Sequence, residues 1–229
     1  MRVAVTTSPD SADRLTRLLE KVALEPVLLP CIRIIPSPDS VLEPLRRAAV
    51  DADWIVCTSR RAIEITWPDR MPPHPRVAAV GHTTAGAVRA AGGTIGLVGT
   101  GGASKLLELM RDRVADRVVV FPHARAADQE TVMTLQTRGA TVIAGPAYET
   151  VAVAPGAEPV DAVIVGSPSA VDGWLLTRSL GGLLIAVIGE TTAAAVRSRG
   201  YEPHIVPRFP DLADVVAALA DRAEQRRPQ

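Results

Sequence analysis

The chain of 229 residues lacks an excess of either charge, since Lys and Arg number 25 and Asp and Glu also number 25. It therefore has no overall positive field that would attract nucleic acid or an anionic membrane, and neither partner is expected. An anionic ligand of this protein has to be held by local hydrogen-bond donors.

Cysteines and long apolar runs are also scarce. Cys31 and Cys57 both lie in apolar runs, and we expect them to be buried thiols in a reducing compartment rather than a disulfide framework. The opening residues MRVAVTTSPD contain too short an apolar run for a signal peptide, and no stretch approaches the length of a membrane span. We expect a soluble, cytoplasmic protein.

Common catalytic motifs are missing. The four histidines show no HxxH or HExxH spacing, and the chain has no Walker loop, no GxSxG and no GxGxxG after a strand. The glycine-rich stretch GTGGAS at 99–104 lacks the Walker lysine and is interpreted as a flexible connection. The sequence therefore does not predict a metal site.

Short β-branched runs alternate with amphipathic stretches along the chain. RVAV, DWIVC, VAAV, RVVVF, DAVIV and LIAVI are typical of buried strands, and most are followed by a helical pattern. The alternation predicts an α/β fold with parallel sheets flanked by helices. The extended run ATVIAGPAYETVAVAP is interpreted with a turn at Gly145-Pro146.

One strand–turn–helix unit occurs twice, as VGHTTAGAVRAAGG and IGETTAAAVRSRGY. Gly81 and Gly189 in these stretches are 108 positions apart, and so are Ser59 in IVCTSRRAI and Ser167 in VIVGSPSAV. A shared offset indicates duplication, so we expect two similar domains. Proline-bearing extended segments occupy matching places in the two copies, which predicts that the chain crosses between domains twice. The predicted division is residues 1–30 plus 155–229 for domain 1, 37–145 for domain 2, and 31–36 and 146–154 as crossing linker strands.

Hydroxyl-bearing turns follow several predicted strands, and ligands of open parallel sheets bind beyond the carboxyl ends of strands. Helix N-termini there bind anions, and a hydroxyl adds a donor. The threonines could equally be helix N-caps. If the turns converge on a cleft between the domains, they suit a ligand with several negative charges. The candidates are Ser59, Thr83, Thr84, Ser167, Ser169, Thr191 and Thr192.

Tyr148 is one of only two tyrosines and lies in a proposed crossing strand. Its phenol is interpreted either as a buried packing group or as a general acid toward a leaving hydroxyl. The residues alone leave both alternatives open.

The ordered set DWIVCTSRRAI, VAAVGHTTAGAVRAAG, GATVIAGPAYETV, DAVIVGSPSAVDGWL and IAVIGETTAAAVRSRGYEPHIVPRFPDLADVVAAL resembles the uroporphyrinogen-III synthase family over nearly the whole chain. The resemblance implies two α/β domains joined by a two-stranded β linker. It also implies a cofactor-free lyase that dehydrates and cyclises hydroxymethylbilane. In that reaction ring D is inverted through a spiro intermediate, giving uroporphyrinogen III for haem and other tetrapyrroles.

The resemblance also implies residue roles. Tyr148 matches the family's proton donor to the leaving hydroxyl, and the serine and threonine turns match those that hold substrate carboxylates. The chain departs from the family pattern at four places. The stretch Thr6–Pro9 lacks an arginine common after the first strand, arginine replaces asparagine in the turn after Ser59, Asp128 stands where arginine is expected, and Glu190 stands where proline is common. Arg60, Arg61 and Arg125 are then expected to supply the cations that bind substrate.

Two other functions remain open on the sequence. One is a synthase-like domain without catalysis that senses a ligand or binds a partner. The other is a hinged two-domain protein that binds a small anion. For the synthase we expect hydroxymethylbilane as the small-molecule partner and a monomer.

Overall fold

The computed structural model of the chain describes residues 1–126, 129–208 and 211–225. Its strands are β1 (Arg2–Val5), β2 (Glu25–Leu28), β3 (Ile32–Pro36), β4 (Trp54–Cys57), β5 (Arg76–Val80), β6 (Thr94–Gly99), β7 (Val118–Ala124), β8 (Thr141–Ala152), β9 (Ala162–Val165) and β10 (Leu184–Val187). Its α-helices are α1 (Asp13–Lys21), α2 (Asp39–Val50), α3 (Arg60–Thr66), α4 (Gly81–Ala90), α5 (Ala103–Met110), α6 (Glu130–Thr137), α7 (Pro168–Leu175), α8 (Glu190–Ser198) and α9 (Leu212–Gln225). Within these described ranges, no helix is long and apolar enough to cross a membrane.

The chain divides into two compact units. Unit 1 comprises Met1–Ile34 with Val151–Gln229, and unit 2 comprises Ile35–Thr150. Each unit contains a sheet of parallel pairs with helices packed against it. The α/β fold class predicted from the strand and helix alternation is confirmed.

Unit 1 is built on four parallel strands in the order β10-β9-β1-β2. Successive side chains of a strand point to opposite faces. Val3 and Val5 therefore pack with α1 and α9 on one face, while Ala4 packs with Trp174 of α7 on the other. Burial on both faces explains why β9, β10 and most of β1 are continuous apolar runs, whereas the edge strand β2 is partly exposed.

Unit 2 carries the sheet order β3-β8-β7-β4-β5-β6, in which β8, β7, β4, β5 and β6 form parallel pairs. Ile55 of β4 packs with Ile63 of α3 on one face. Val56 of the same strand packs with Leu106 of α5 on the other. The same two-faced burial positions the turns that leave β4, β5 and β7.

Strand β6 is absent from the strands predicted above, because glycines interrupt its apolar pattern. The structure supplies the reason for one of them. A Cβ on Gly96 would lie 2.7 Å from the Trp54 ring, so only glycine leaves room for that indole. The stretch GTGGAS, interpreted as a connection, covers the end of β6 and the start of α5.

Strand β8 runs without interruption from Thr141 to Ala152. The turn predicted at Gly145-Pro146 is therefore wrong. Proline lacks a backbone N–H, but a strand accommodates it where the ladder is irregular. Here the pairing of β7 with β8 shifts its register just after Pro146.

Both cysteines are buried free thiols. Burial raises the pKa of Cys31 to about 12, against a smaller opposing effect of Arg178, and burial also raises the pKa of Cys57. In the unfolded chain a thiol ionises at its ordinary pKa, whereas the buried thiol stays protonated up to its raised pKa. The stability linked to this difference is complete below the ordinary pKa and is lost as the pH rises from the ordinary pKa to the raised one.

We therefore expect the free energy of unfolding to fall above about pH 9, by up to about 1.4 kcal/mol per pH unit for each thiol. Urea titrations between about pH 8 and 11 measure this, and Cys57→Ala should flatten the slope of the unfolding free energy against pH.

Both thiols should react with a thiol reagent only after unfolding. Rapid reaction of both in the folded protein would contradict the burial.

Candidate functional site

The C-terminal rim of unit 2 is formed by the turns that follow β4, β5 and β7 and by the neighbouring part of β8, residues 58–61, 81–84, 123–125 and 148–149. Because these strands are parallel, their carboxyl ends lie at one side of the sheet, where ligands of α/β proteins bind. The structure brings six of the predicted residues and the catalytic candidate to this rim: Ser59, Arg60, Arg61, Thr83, Thr84, Arg125 and Tyr148.

A direct contact joins two of these residues. The Ser59 Oγ and Tyr148 Oη atoms are 3.0 Å apart, and Tyr148 is only 7% exposed. Ser59 is the N-cap of α3, and its Oγ accepts a hydrogen bond of 3.2 Å from the Arg61 backbone N–H. The phenol is therefore held in place by a polar group rather than packed among apolar side chains alone.

The backbone at Tyr148 is fixed as well. The Arg125 N–H donates a 2.7 Å hydrogen bond to the Tyr148 carbonyl. The register of the β7–β8 ladder shifts between His123 and Ala124, so that Ala124 pairs with Tyr148 and Ala147 is skipped. Such a bulge re-aims the side chains that follow it, which here places the phenol near Ser59.

Two rim arginines already have carboxylate partners. Arg125 Nε is 3.3 Å from Glu149 Oε2, and Arg60 Nε is 3.4 Å from Glu64 Oε1. All four side chains are about half exposed, and exposed ion pairs contribute little net energy. An external anion therefore competes with Glu149 for Arg125 at small energetic cost.

The threonines of unit 2 do not cap α4, so the N-cap alternative is wrong for them. Helix α4 begins at Gly81, whose φ of +76° suits glycine, and Val80 occupies the N-cap position without a side-chain hydrogen bond. Thr83 is exposed in the first turn, whereas Thr84 is 6% exposed.

Unit 1 has a corresponding C-terminal rim, residues 6–8, 166–169 and 188–192, after β1, β9 and β10. Ser167 caps α7, and its Oγ accepts a 3.2 Å hydrogen bond from the Ala170 N–H. Ser169 follows in the same turn and is half-buried. Helix α8 begins at Glu190 after Gly189, so Thr191 and Thr192 lie in its first turn and are not caps.

The prediction missed two threonines of this rim, although RVAVTTSP places them directly after β1. Thr6 is fully buried, and its Oγ1 donates to the Ile164 carbonyl at 2.8 Å. Thr7 has a buried Oγ1 with no hydrogen-bond partner among the described residues. A buried hydroxyl without a partner is costly, and the Thr7 hydroxyl, unlike the equally unpartnered one of Thr66, lies at a C-terminal rim.

His123, near the end of β7, is a further rim residue of unit 2 and belongs to no metal-binding motif of the sequence. Its Nδ1 lies 2.7 Å from the Ala124 carbonyl oxygen, which can only accept, so Nδ1 carries a proton. In the neutral ring Nε2 is then a hydrogen-bond acceptor. Over residues 1–126, 129–208 and 211–225 the structure contains no group of three metal-ligating side chains.

Comparison with known proteins identifies the chain's relatives. The family model described as uroporphyrinogen-III synthase HemD matches residues 13–217. The chain belongs to the uroporphyrinogen-III synthase family. The chloroplastic uroporphyrinogen-III synthase of rice, Oryza sativa subsp. japonica, is 29% identical over 96% of this chain and 80% of its own length.

Solved uroporphyrinogen III synthases share the fold. A mutant enzyme from the extremely thermophilic bacterium Thermus thermophilus matches with a TM-score of 0.65 at 20% identity, over 99% of this chain and all of its own. The Helicobacter pylori enzyme matches with a TM-score of 0.66 at 14% identity, over 96% of this chain and 99% of its own. The resemblance drawn from the sequence motifs is confirmed.

One departure from the uroporphyrinogen-III synthase pattern adds a negative charge to a rim. Glu190 places a carboxylate at a turn expected to receive an anionic substrate. Its Oε1 is 2.6 Å from Arg197 Nη1, and Arg197 also pairs with Glu202 at 3.1 Å. Arg197 therefore offsets only one of the two carboxylate charges, and the group of three side chains keeps a net negative charge beside this turn. A further departure, Asp128, lies outside the described residues.

Proposed function

We propose that this chain converts hydroxymethylbilane into uroporphyrinogen III, with Tyr148 as the proton donor and the rim turns as carboxylate-binding sites. The observation that supports this most directly is the placement of the Tyr148 phenol. It is buried, hydrogen-bonded to Ser59, and held beside hydroxyl-bearing turns and half-exposed arginine ion pairs.

The reaction begins with loss of the terminal hydroxyl of the bilane as water. Tyr148 donates a proton to that hydroxyl while the carbon–oxygen bond breaks, which leaves an azafulvene cation. Attack by the substituted carbon of ring D forms the spiro intermediate, and fragmentation and recombination invert the ring. The rest of the catalysis consists of controlling the conformation of the substrate, because the two ends of the flexible bilane have to be held close together.

Substrate binding requires donors spread over several turns. Ser59, Thr83 and Thr84 of unit 2, with Arg60, Arg61 and Arg125, are proposed to bind carboxylates of the bilane. Ser167, Ser169, Thr191 and Thr192 of unit 1 are proposed to do the same. Local donors of this kind suit a chain with equal numbers of acidic and basic residues, which has no general attraction for anions.

The decisive experiment supplies purified protein with freshly generated hydroxymethylbilane, oxidises the products and separates isomers I and III by chromatography. Mostly isomer III is expected, whereas heat-denatured protein should give only isomer I, the product of spontaneous closure. Isomer I alone from the folded protein would reject the synthase activity. The alternative would then be a ligand-binding module without catalysis, which no contact on either rim specifically supports.

The double substitution Thr84→Val and Thr192→Val tests carboxylate binding by the rims. Valine preserves shape but removes the hydroxyl, so KM should rise by about tenfold while kcat changes little, as for loss of a hydrogen bond to a charged group. Steady-state kinetics of isomer III formation measure both constants.

Thr66→Val is the matched control for that experiment. Thr66 lies at the end of α3, is fully buried and has an Oγ1 without a hydrogen-bond partner among the described residues. Its replacement should leave KM unchanged. An unaltered KM in the double variant as well would show that Thr84 and Thr192 serve only to pack their helices.

We further propose that residues 1–30 with 155–229 and residues 37–145 are the two domains, joined by crossing strands 31–36 and 146–154. The boundaries of the two compact units fall inside these segments, which supports the proposal. A fragment of residues 37–145 expressed alone should then unfold cooperatively. Absence of a cooperative transition would argue that β3 and the end of β8 belong to that domain's core.

We also propose a monomer that works in the cytoplasm. Two buried free thiols and no disulfide in the described residues suit a reducing compartment. Sedimentation should give a mass near 24.2 kDa, and cell fractionation should recover the protein in the soluble fraction. The rice relative is chloroplastic by its name, and that location is stated for that protein alone.

A further inference from the structure

The Ser59–Tyr148 contact spans three strands. Tyr148 belongs to β8 and Ser59 follows β4, while β7 lies between them in the sheet. Neighbouring strands are about 4.8 Å apart, so the side chains meet over the end of β7 across about 10 Å. The 3.0 Å separation of the two oxygens therefore fixes where the phenol lies relative to the rim of unit 2.

The Ser59–Tyr148 hydrogen bond can run in either direction, and the two directions differ in what they leave free for a substrate. Each hydroxyl has one hydrogen to donate, so only one of the two can donate across the contact. The Ser59 oxygen already accepts from the Arg61 N–H at 3.2 Å. If Tyr148 also donated to Ser59, its proton would point away from any substrate. If Ser59 donates, the phenol proton stays available.

We propose that Ser59 is a positioning residue for Tyr148. The Ser59 hydroxyl donates to the phenol oxygen of Tyr148, and this directs the phenol proton toward the leaving hydroxyl of the substrate. This assignment rests on the proposed function, but it replaces the carboxylate-binding role given to Ser59 there with a positioning role. The Arg125 N–H holds the Tyr148 carbonyl at 2.7 Å, so the residue is restrained at both its backbone and its side chain.

The proton balance of the step agrees with this direction. The phenol O–H bond breaks as the carbon–oxygen bond of the hydroxymethyl group breaks, and water leaves with the bonding electron pair. The bilane becomes a cation and Tyr148 a phenolate, whose new charge accepts the Ser59 hydrogen bond more strongly than the neutral phenol did. Loss of the α-proton of ring D at the final closure returns a proton to the phenolate.

Unit 1 contains a matched pair that serves as a control. Ser179 Oγ lies 3.2 Å from Tyr201 Oη, and Ser179 accepts from the Gly181 N–H at 2.9 Å. The pattern of serine, tyrosine and backbone N–H two residues later is the same as at Ser59. Ser179 does not lie on either C-terminal rim, so Ser179→Ala should break an equivalent contact without changing kcat.

The kinetic test is a double-mutant cycle on isomer III formation. Ser59→Ala should lower kcat by about tenfold with KM changed less than about threefold, and Ser59→Thr should restore most of the rate because it keeps the hydroxyl. In a Tyr148→Phe background, Ser59→Ala should lower kcat no further. An equal loss in both backgrounds, or a change confined to KM, would overturn the positioning role.

Ser59 also caps α3, so a variant that keeps the cap is needed. Ser59→Asp accepts from the Arg61 N–H but, as a carboxylate, has no hydrogen to donate to the phenol. The kcat of Ser59→Asp should fall as far as that of Ser59→Ala, while its melting temperature should stay close to that of the wild type. Retention of the wild-type kcat in Ser59→Asp would overturn the proposal.

A substrate-free measurement separates this proposal from the proposed function. The chain has two tyrosines, so 3-fluorotyrosine labelling gives two ¹⁹F environments, which Tyr148→Phe assigns. Ser59→Ala should shift the Tyr148 signal and Ser179→Ala the Tyr201 signal. An unmoved Tyr148 signal would overturn the contact in solution, while isomer I alone from the wild type would reject the function instead.

Discussion

Tyr148→Phe is expected to slow isomer III formation by about 10–100-fold, the modest end of what a positioned general acid contributes. The substitution removes only the phenol oxygen, so the ring remains to fill its 7% exposed site and the fold should be kept. The loss should appear in kcat rather than in KM, because the proton is transferred only as the carbon–oxygen bond breaks.

The product ratio gives a second readout of the same variant. Hydroxymethylbilane closes spontaneously to isomer I, so a slower enzyme should release a larger share of that isomer at low enzyme concentration. Tyr201→Phe is the control, since Tyr201 is the other tyrosine of the chain and its oxygen contacts Ser179 rather than a rim residue. Wild-type turnover in Tyr148→Phe would remove the phenol from the mechanism.

Gly173→Ala is expected to destabilise the protein by about 3 kcal/mol or more, beyond the usual range for overpacking. A Cβ on Gly173 would lie 2.0 Å from the Cys31 carbonyl oxygen and 2.9 Å from the Val153 carbonyl oxygen. Both are backbone atoms. The two residues are also joined by a hydrogen bond, since the Val153 N–H donates to the Cys31 carbonyl at 2.9 Å. Neither can move without disturbing that pair.

Gly86→Ala is the matched control for this prediction. Gly86 is also a helix residue, but a Cβ there would have no atom within 4 Å. Alanine has the higher helix propensity, so this variant should be unchanged or more stable by up to about 1 kcal/mol. Urea denaturation of both variants measures the difference. Equal stability of the two would show that α7 can shift away from Cys31.

The strands and helices were largely predictable because the pattern that specifies them is local. Burial of β4 and β9 on both faces appears directly as WIVC and AVIV in the chain. The duplication was also visible, since the cap positions Ser59 and Ser167 keep one offset and the same role at their helices. The parallel arrangement followed from the alternation of these elements.

Other features depended on neighbours that are distant in sequence. Strand β6 was hidden because Gly96 is required by the Trp54 ring, a contact that no pattern around Gly96 reveals. The predicted turn at Gly145-Pro146 failed because a register shift against β7 accommodates the proline within a strand. The threonine turns were found, but the exact start of each helix decided that they are not caps.

The sequence by itself determined the α/β class, the duplication and the family, because each rests on residue types in a fixed order along the chain. Only the tertiary structure decided how Tyr148 is held. Ser59 lies 89 positions away from it, and their contact requires the strand order β8-β7-β4 and the skipped Ala147. A hydrogen bond needs two oxygens about 3 Å apart, and for residues on separate strands that distance is set by how the strands pair.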